Sequence, residues 1–396
     1  MRAESLLEEV KRLYGKTDCL YIYGAGFYGK DVFRLLNRNG ISIEGFIVTE
    51  LDGAHEMFGK TIRNASDVFA DNIGIILGLS ESYVGEVLKY LEDNNVNMDN
   101  VVNAGKFITD TGGRKDLKES LMIEISTVMG CAVNCEFCPQ NVLLSKYYAA
   151  DKNRQRVMTL DNFRMIMYHT PSDCIIDFSG MTEPFLNPHC IDMIRIACEL
   201  GRKVYLFTTL YGVDEKTIDE LIALPVYYMT LHVADNLGYA KIPTTEVYYR
   251  NIEKIIKAKK LDGRPYVDFV NAQTDPDERV AQICGKEYEI MRSVQNRAGN
   301  LQDSRVQFRK EPIKPGNKIT CCFAQGNLLN NVVLPDGTLV LCNMDYGMKH
   351  VLGNIYTDDY ETIRSKDEFQ RVLKEMSGGA DMDLLCRTCL LARVHE

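Results

Sequence analysis

Three cysteines stand close together in the segment Cys131-Ala-Val-Asn-Cys135-Glu-Phe-Cys138-Pro, directly after the apolar run MIEIS. Thiolates on one loop can hold three irons of a [4Fe–4S] cluster, and no fourth cysteine is near enough in sequence to take the last iron. A vacant coordination position is typical of catalytic metal sites, because a substrate can bind there. The spacing therefore predicts a catalytic cluster, with a three-cysteine zinc site as the alternative.

A second group of cysteines lies towards the C-terminus, at Cys321, Cys322, Cys342, Cys386 and Cys389. Four thiolates saturate a [4Fe–4S] cluster, so this one would have no open iron and would serve electron transfer or shape the pocket. Neighbouring side chains leave the backbone in different directions, so Cys321 and Cys322 cannot both be equivalent ligands. We favour Cys322. A four-cysteine zinc site is the alternative, because Cys-x2-Cys spacing suits zinc.

A glycine-rich loop near the N-terminus, Tyr23-Gly24-Ala25-Gly26-Phe27-Tyr28-Gly29, has the G-x-G-x-x-G spacing between a predicted strand and a predicted helix. Gly24, Gly26 and Gly29 would let the backbone approach a phosphate at the helix N-terminus, and Glu50 could meet a ribose hydroxyl. The region resembles small Rossmann-like domains of polysaccharide and nucleotide-sugar enzymes. This resemblance implies a nucleotide or nucleotide-sugar site, or a docking domain without a ligand.

The elements that must position these residues follow from alternating apolar and helical stretches, which are typical of parallel α/β units. The first such region contains predicted strands at 19–23, 42–48 and 73–77 and predicted helices at 28–37 and 83–94. A Gly- and charge-rich stretch at 109–116 then reads as a linker. The region therefore predicts an N-terminal Rossmann-like α/β domain over residues 1–108.

Strand–helix alternation resumes after the linker, with the runs MIEIS, CIIDFSG, KVYLFTT, VYYMTLHVA and YVDFVNA. Repeated units of this kind predict a partial (β/α)6 TIM-type barrel over residues 117–302, whose active face lies at the strand C-termini. Beyond it, two apolar runs flank Pro335-Asp336-Gly337 and predict a hairpin. We therefore expect an α/β protein with a small α+β domain at 303–396.

Composition narrows the class of protein. Hydrophobic residues at 45% and charged residues at 26% exclude a disordered, fibrous or membrane protein. The N-terminal stretch MRAESLLEEVKRLYG predicts an amphipathic helix and not a signal peptide. A net charge of −9 disfavours nonspecific nucleic-acid binding, and thirteen cysteines without an export signal favour metal binding over disulfides. We expect a cytoplasmic protein with neither nucleic-acid nor membrane partners.

The first cysteine segment resembles the radical S-adenosylmethionine superfamily, whose signature is C-x3-C-x2-C with an aromatic residue before the last cysteine, here Phe137. Ser179-Gly180-Met181-Thr182-Glu183-Pro184 is similar to the family's Gly-rich motif after the second strand. The resemblance implies that the open iron binds S-adenosylmethionine and that Gly180 and Glu183 contact it. Glu183 would accept from its ammonium group. Thr208 and Thr209, at the end of the third strand, would lie near the ribose.

The C-terminal region resembles the twitch domain, a shortened SPASM domain. The resemblance is carried by Gly337-Thr-Leu-Val-Leu-Cys342, Leu352-Gly353-Asn354-Ile355 and Cys386-Arg-Thr-Cys389. It implies one auxiliary [4Fe–4S] cluster on Cys322, Cys342, Cys386 and Cys389. The implied cofactors are two clusters and S-adenosylmethionine. The implied partners are a small carbohydrate-like substrate and a reductant such as flavodoxin or ferredoxin.

The resemblance further implies radical oxidation of an alcohol carbon in a sugar, aminosugar, cyclitol or nucleotide sugar. A base must take the hydroxyl proton, and Arg297 and Tyr211 are the candidates, while His189 and His232 stay undecided between base and ordinary side chain. Epimerisation is an alternative that needs a hydrogen-atom donor, for which Cys284 is the candidate. A peptide-modifying maturase is another, although the Rossmann-like region does not look like a peptide-binding element. A zinc-binding scaffold is the non-enzyme alternative.

Overall fold

The computed structural model of the chain describes residues 2–51, 55–69, 72–79, 81–104, 121–285, 288–291, 296–301, 309, 311–321 and 330–394. The chain forms two compact units, residues 1–119 and 120–396, and each has its own apolar core. Within the described ranges no helix combines the length and the apolar character needed to cross a membrane. The linker predicted at 109–116 lies outside the described residues.

The first unit is built around a mostly parallel sheet. Its strands follow the order β3-β4-β2-β1-β5-β6, and only the β3–β4 pair is antiparallel. The chain moves from β1 to one edge and then crosses to the other side, which is the doubly wound order. The elements are α1 (Arg2–Tyr14), β1 (Cys19–Tyr23), α2 (Phe27–Arg38), β2 (Gly45–Val48), β3 (Glu56–Met57), β4 (Lys60–Asn64), β5 (Ile73–Leu77), α3 (Glu81–Asp93) and β6 (Val101–Asn103). The strands predicted at 19–23 and 73–77 are confirmed, and the one predicted from residue 42 begins at Gly45.

The second unit opens with strands and helices in alternation. Strands β7 to β12 are neighbours in chain order, and every pair among them is parallel. Their elements are β7 (Met122–Ile125), α4 (Gln140–Tyr147), α5 (Leu160–His169), β8 (Ile175–Phe178), α6 (Cys190–Glu199), β9 (Val204–Thr208), α7 (Glu215–Ile222), β10 (Tyr228–His232), α8 (Glu246–Lys257), β11 (Phe269–Ala272), α9 (Glu278–Cys284) and β12 (Glu289–Ile290). This arrangement confirms the partial (β/α)6 barrel.

Side chains of the barrel strands alternate between two faces. One face joins the apolar core that the helices cover, through residues such as Ile123, Ile176, Leu206, Met229, Leu231 and Val270. The opposite face, which we call the inner face, is polar and aromatic. It carries Glu124, Asp177, Tyr205, Phe207, Tyr228, Thr230, His232 and Asn271. Burying polar groups costs free energy unless they are hydrogen-bonded, so apolar packing alone does not account for this face.

The C-terminal part extends the barrel sheet. Strand β14 pairs with β7 in parallel, and β15 and β16 continue the sheet in antiparallel fashion. The hairpin predicted around Pro335-Asp336-Gly337 is confirmed as β14–β15, while β13 and β17 form a separate antiparallel pair. The elements are β13 (Ile319–Cys321), β14 (Asn330–Val333), β15 (Thr338–Val340), β16 (Val351–Asn354), α10 (Tyr360–Arg364), α11 (Asp367–Met376) and β17 (Ala392–Val394).

Candidate active site

The first three cysteines lie on a loop between β7 and α4, at the C-terminal edge of the barrel sheet. Gly130 and Asn134 have φ of +91° and +43°, and these are residue types that tolerate the left-handed region. Two sharp bends are thereby placed beside the thiols. Cys131, Cys135 and Cys138 are all partly buried, as ligands at the edge of a site accessible to a cofactor would be.

The charges of these thiols act on one another and influence their pKa values. Burial raises the pKa of Cys131, and burial followed by the charges of Cys138 and Cys131 raises the pKa of Cys135 to about 12. Three thiolates this close repel one another, and a bound cationic metal group removes that penalty because it holds thiols deprotonated. The donor chemistry therefore fits an iron–sulfur cluster.

A second loop braces the cysteine loop. The backbone N–H of Glu136 donates to the carbonyl of Tyr239 (2.7 Å), and that of Lys241 donates to the carbonyl of Val133 (2.9 Å). The ring of Phe137 packs edge-on against Tyr239, with centroids 5.3 Å apart. The structure thus gives the predicted cofactor-binding Phe137 a packing partner within the site.

Asp235 lies near the start of this second loop, which we call the bracing loop, and hydrogen-bonds to its backbone. Its buried carboxylate accepts from the backbone N–H groups of Leu237 (3.1 Å), Tyr239 (3.1 Å) and Ala240 (3.2 Å). The Thr274 hydroxyl also donates to it, at 3.0 Å. The position of Tyr239 beside the cysteine loop therefore depends on one carboxylate.

Glu183 is a buried carboxylate beside the cysteine loop. The hydroxyl of Thr208 donates to Oε1 (2.6 Å), and the backbone N–H and hydroxyl of Thr209 both donate to Oε2 (2.7 Å each). Burial raises the pKa of Glu183, while the hydrogen bonds from both threonines oppose that shift. Glu183 also acts electrostatically on Cys131. The two threonines predicted near a ribose thus hold Glu183 in place.

Gly180 sits where two strand ends meet, at φ +47°. A Cβ at this position would lie 2.4 Å from Ser126 Oγ and 2.8 Å from Ser126 N. The next residue, Met181, donates its backbone N–H to the Ser126 hydroxyl at 2.9 Å. The predicted cofactor-binding glycine therefore allows the loop before Glu183 to approach the end of β7.

A chain of side chains leads from the cysteine loop to the inner face. The Cys138 thiol donates to the hydroxyl oxygen of buried Tyr346 at 3.7 Å, and Arg297 acts electrostatically on both Tyr346 and His232. Arg297 and Ala298 have φ of +49° and +52°. Such strained backbone is often found at functional sites. Here it brings the guanidinium within electrostatic reach of both Tyr346 and His232.

Several buried atoms of this region have no hydrogen-bond partner among the described residues. They are Thr230 Oγ1, Asn296 Oδ1, Arg297 Nε and Asn330 Oδ1. The Asn330 and Asn343 amides both donate to Glu124 Oε1, at 3.1 Å each. Leaving a buried polar atom unpaired costs about 1–3 kcal/mol, so this face is suited to a ligand that supplies donors and acceptors.

The second group of cysteines is brought together by β13 and the C-terminal turn. Cys321 lies opposite Ala392 in the β13–β17 pair. Ala392 is three residues after Cys389 in the sequence. After burial, the charge of Cys321 is the largest influence raising the pKa of Cys386, and it also acts on Cys342 and Cys389. The predicted ligand Cys322 lies outside the described residues, and Cys321 is the neighbour that the structure places beside the other three.

Arg387 fixes the turn that carries the last two cysteines. Its guanidinium is fully buried and donates to the carbonyls of Asp381 (2.6 Å), Gly379 (2.6 Å) and Lys314 (3.0 Å). It also donates to the carbonyl of Ile313 at 3.2 Å. The turn is therefore tied to the segment that leads into β13 and Cys321.

Among the described residues, no three His, Cys, Asp or Glu side chains converge on a point where one metal ion would sit. A [4Fe–4S] cluster makes a different demand, because each thiolate binds its own iron. The thiols must surround a cluster and need not meet at one atom.

Two predicted catalytic residues, Cys284 and Tyr211, pack in or against the apolar core. Cys284 is the last residue of α9 and is buried. It packs in the core and acts on Tyr248 of α8. Tyr211 follows Thr209 in a turn with left-handed Leu210 and packs against the same core. The role of Cys284 as a hydrogen-atom donor stays a prediction.

Arg297, predicted as a base, lies within electrostatic reach of His232 and Tyr346. A guanidinium stays protonated throughout the neutral range, so it cannot accept the hydroxyl proton. It can attract the developing negative charge on a substrate oxygen. By its chemistry, Arg297 is therefore better suited to orient a substrate oxygen than to act as the predicted base.

The glycine loop of the first unit joins β1 to α2. Gly24 has φ +102° and Gly26 caps the helix. A Cβ on Gly29 would lie 1.8 Å from the carbonyl oxygen of Gly24, and one on Gly78 would lie 2.6 Å from Gly29 Cα. The third glycine of the motif therefore serves close packing of α2 on the sheet. Glu50 follows β2 and is exposed.

Some site residues were not identified from sequence. Asp235, Asn271, Glu124 and Tyr346 all belong to it. The available signal was polar residues at alternate positions of otherwise apolar strands, as in MIEIS, YMTLH and FVNA. In a barrel strand, polar residues at every second position indicate side chains on the inner face.

Comparison with known proteins agrees with this geometry. Residues 125–282 match the model of the radical SAM superfamily, and residues 321–390 match that of an iron–sulfur cluster-binding domain, SPASM. No curated protein matches the chain. Similar solved structures include BtrN in complex with AdoMet and 2-DOIA, at 17% identity, TM-score 0.45, and 68% of this chain against 92% of that one. Others are anSMEcpe with bound AdoMet (15%, 0.39, 65% and 81%) and Streptococcus suis SuiB (12%, 0.40, 76% and 84%).

Proposed function

Because this chain carries a radical SAM domain at 125–282 and a SPASM iron–sulfur domain at 321–390, we propose that it oxidises an alcohol carbon of a small polyhydroxylated substrate. The substrate class is a sugar, aminosugar, cyclitol or nucleotide sugar. The first domain implies a [4Fe–4S] cluster that binds S-adenosylmethionine, and the second implies an additional iron–sulfur cluster.

We propose that two separate groups of cysteines hold the two clusters. Cys131, Cys135 and Cys138 would hold the first, and Cys321, Cys342, Cys386 and Cys389 the auxiliary one. When bound, the first cluster and S-adenosylmethionine supply a 5′-deoxyadenosyl radical that can take a hydrogen atom from carbon. Buried Glu183, held by Thr208 and Thr209, is suited to accept from the ammonium group of S-adenosylmethionine.

The observation that carries the proposal is the polar inner face beside the cysteine loop. Thr230, Asn296, Arg297 and Asn330 each bury an atom without a partner in the described part of the chain. A ligand rich in hydroxyl groups can pair with such atoms, since every hydroxyl both donates and accepts. An apolar substrate would leave all of them unpaired.

Oxidation also agrees with the placement of the candidate residues better than epimerisation does. Epimerisation needs a hydrogen-atom donor beside the substrate, and the candidate Cys284 is buried in the apolar core. Oxidation to a ketone removes a hydrogen atom, a proton and an electron, and we propose the auxiliary cluster as the electron acceptor.

The test uses anaerobically reconstituted protein with dithionite, S-adenosylmethionine and three probes: myo-inositol, glucosamine and UDP-glucose. We expect one probe to yield a product lighter by about two mass units, with one 5′-deoxyadenosine per ketone. In deuterated water, a product heavier by about one mass unit, with the deuterium on carbon, would instead show epimerisation. Modification of a peptide, with none of the three probes altered, would overturn the proposal in favour of a maturase.

For the N-terminal unit we propose that the loop with Gly24 and Gly26 binds the phosphates of a nucleotide or nucleotide sugar. The loop lies at the switch between β1 and β5, where doubly wound sheets bind ligands. Equilibrium dialysis with UDP-glucose is expected to show saturable binding that Gly26→Glu abolishes. Absence of binding would favour a docking domain.

A further inference from the structure

His232 is the titratable side chain that the proposed function leaves without a role. It is the last residue of β10, on the inner face with Tyr228 and Thr230. Its side chain is partly accessible. In a (β/α) barrel the strand C-termini form the active edge, so His232 lies on the same edge as the cysteine loop.

Asn271 determines which nitrogen of His232 carries the proton. The two residues are direct neighbours in the β10–β11 pair, and the ring Nδ1 is hydrogen-bonded to Asn271 Oδ1. An amide oxygen only accepts, so Nδ1 must donate. Nε2 then holds the lone pair of a neutral imidazole, and no described residue hydrogen-bonds it.

The surroundings favour the neutral ring. Burial lowers the pKa of His232, the hydrogen bond with Asn271 opposes this, and the positive charge of Arg297 lowers it further. From the neighbouring strands the ring is faced by Phe207, 6.4 Å away between centroids, and by Asn271, neither of which titrates. Arg297 is the charged group that acts on it. At pH 7 a group with a pKa below its ordinary value of about 6.5 is free to accept a proton.

We infer that His232 is the catalytic base that takes the proton of the substrate hydroxyl, with Asn271 as the residue that positions it. The inference rests on the proposed function and adds the residue that function lacks. In this step the substrate O–H bond breaks and an N–H bond forms on Nε2. The electron pair stays on oxygen, where Arg297 faces the developing charge. The imidazolium then returns its proton to water.

The first test needs no substrate. In holoprotein labelled with ¹⁵N-histidine, long-range ¹H–¹⁵N spectra at pH 7 are expected to show one neutral ring protonated on Nδ1, and this signal disappears in His232→Gln. The ring should titrate below pH 6.5. An imidazolium at pH 7, or a proton on Nε2, overturns the inference whatever the substrate proves to be.

The second test uses whichever of myo-inositol, glucosamine and UDP-glucose the wild-type protein oxidises. Loss of a general base typically costs 10²- to 10⁴-fold, so we expect ketone formation to fall at least about a hundredfold in His232→Gln. The acidic limb of the pH profile, present in the wild type, should vanish. Asn271→Ala should reduce the rate less and shift that limb, because the ring loses only its orientation.

Exposed His189 provides the matched control, and His189→Gln is expected to leave rate and pH profile unchanged. If His232→Gln oxidises the probe within about threefold of wild type with the same acidic limb, the base lies elsewhere while the proposed function stands. If wild type oxidises none of the three probes, the proposed function fails, and the spectra still decide the state of His232.

Discussion

At the scale of single residues, the site contains buried acidic groups. Their charged form costs free energy unless a positively charged ligand is bound. Burial raises the pKa of Glu183 and of Cys135, and each lies within electrostatic reach of the other. A cluster and the ammonium group of S-adenosylmethionine would supply the missing positive charge. These residues are therefore suited to bind a cofactor, and by themselves they contribute little to the stability of the fold.

Glu183→Gln should weaken S-adenosylmethionine binding while iron content stays unchanged. A hydrogen bond to a charged group contributes about 1.5–3 kcal/mol, so the dissociation constant should rise roughly tenfold to a hundredfold. Thr208→Val removes one of the bonds that hold the carboxylate and should have a smaller effect in the same direction. Equilibrium binding under anaerobic conditions measures both. Unchanged binding in Glu183→Gln would remove this residue from the cofactor site.

Cys321→Ser should lose the auxiliary cluster and Cys322→Ser should keep it. Cys321 lies opposite Ala392, and its charge acts on Cys342, Cys386 and Cys389. Adjacent residues cannot both be equivalent ligands, so only one of the two cysteines is expected to bind the cluster. Iron is expected to fall from about eight to about four atoms per chain in Cys321→Ser, with S-adenosylmethionine cleavage retained. Iron analysis and Mössbauer spectroscopy check this. The opposite pattern in the two variants would restore Cys322 as the ligand.

At the scale of elements, the cysteine loop is positioned by its neighbours. The loop after β10 braces it through Tyr239, and the loop after β8 approaches β7 at Gly180. Short parallel strands bring these loops to one edge. The loops themselves have few regular hydrogen bonds, so single side chains determine their shape.

Gly180→Ala should destabilise the C-terminal unit by about 2–5 kcal/mol, from its positive φ together with overlap with Ser126. Gly201→Ala is the matched control, because Gly201 has φ +72° and open space within 4 Å. It should cost about 1–2 kcal/mol. Midpoints of urea unfolding followed anaerobically give the comparison. Equal shifts for both variants would show that the close approach at Gly180 costs nothing.

Asp235→Ala should lower occupancy of the first cluster and leave the auxiliary cluster intact. The change leaves three backbone N–H groups of the bracing loop without an acceptor. Each costs about 1–3 kcal/mol if it stays buried. Asp214→Ala is the control, because Asp214 caps the N-terminus of α7 on the barrel's exterior. Electron paramagnetic resonance of the reduced protein, with and without S-adenosylmethionine, separates the two clusters. Full occupancy of the first cluster in Asp235→Ala would contradict the bracing role.

At the scale of the whole molecule, the chain consists of two compact units. The unit at 120–396 contains every cysteine assigned to a cluster, together with Glu183, Arg297 and His232. The unit at 1–119 has its own sheet and its own apolar cores. The residues proposed for the radical chemistry therefore all lie in one unit of the chain.

A chain shortened to residues 120–396 should fold, bind iron to the same level and form 5′-deoxyadenosine at a rate within about threefold of the full chain. Its core is contained within the unit, which is the physical basis of the expectation. Reconstitution followed by iron analysis and product chromatography tests it. Loss of iron binding on truncation would show that the N-terminal unit is required for folding.

The sequence alone determined the cysteine motifs, the parallel strand–helix order and most element positions, because these depend on local spacing and periodicity. Cys131, Cys135 and Cys138 are close in the chain, so short-range geometry suffices to group them. The hairpin at Pro335-Asp336-Gly337 and strands such as Cys19–Tyr23 are set in the same way by turn residues and alternating burial.

Only the tertiary structure decided which distant residues share the site. His232 and Asn271 are 39 positions apart and meet because β10 and β11 pair in one register. Glu183 meets Thr208 across neighbouring strands, and Cys284 is buried in the apolar core. Register and burial arise from packing of the whole sheet, so no local pattern could have specified these contacts.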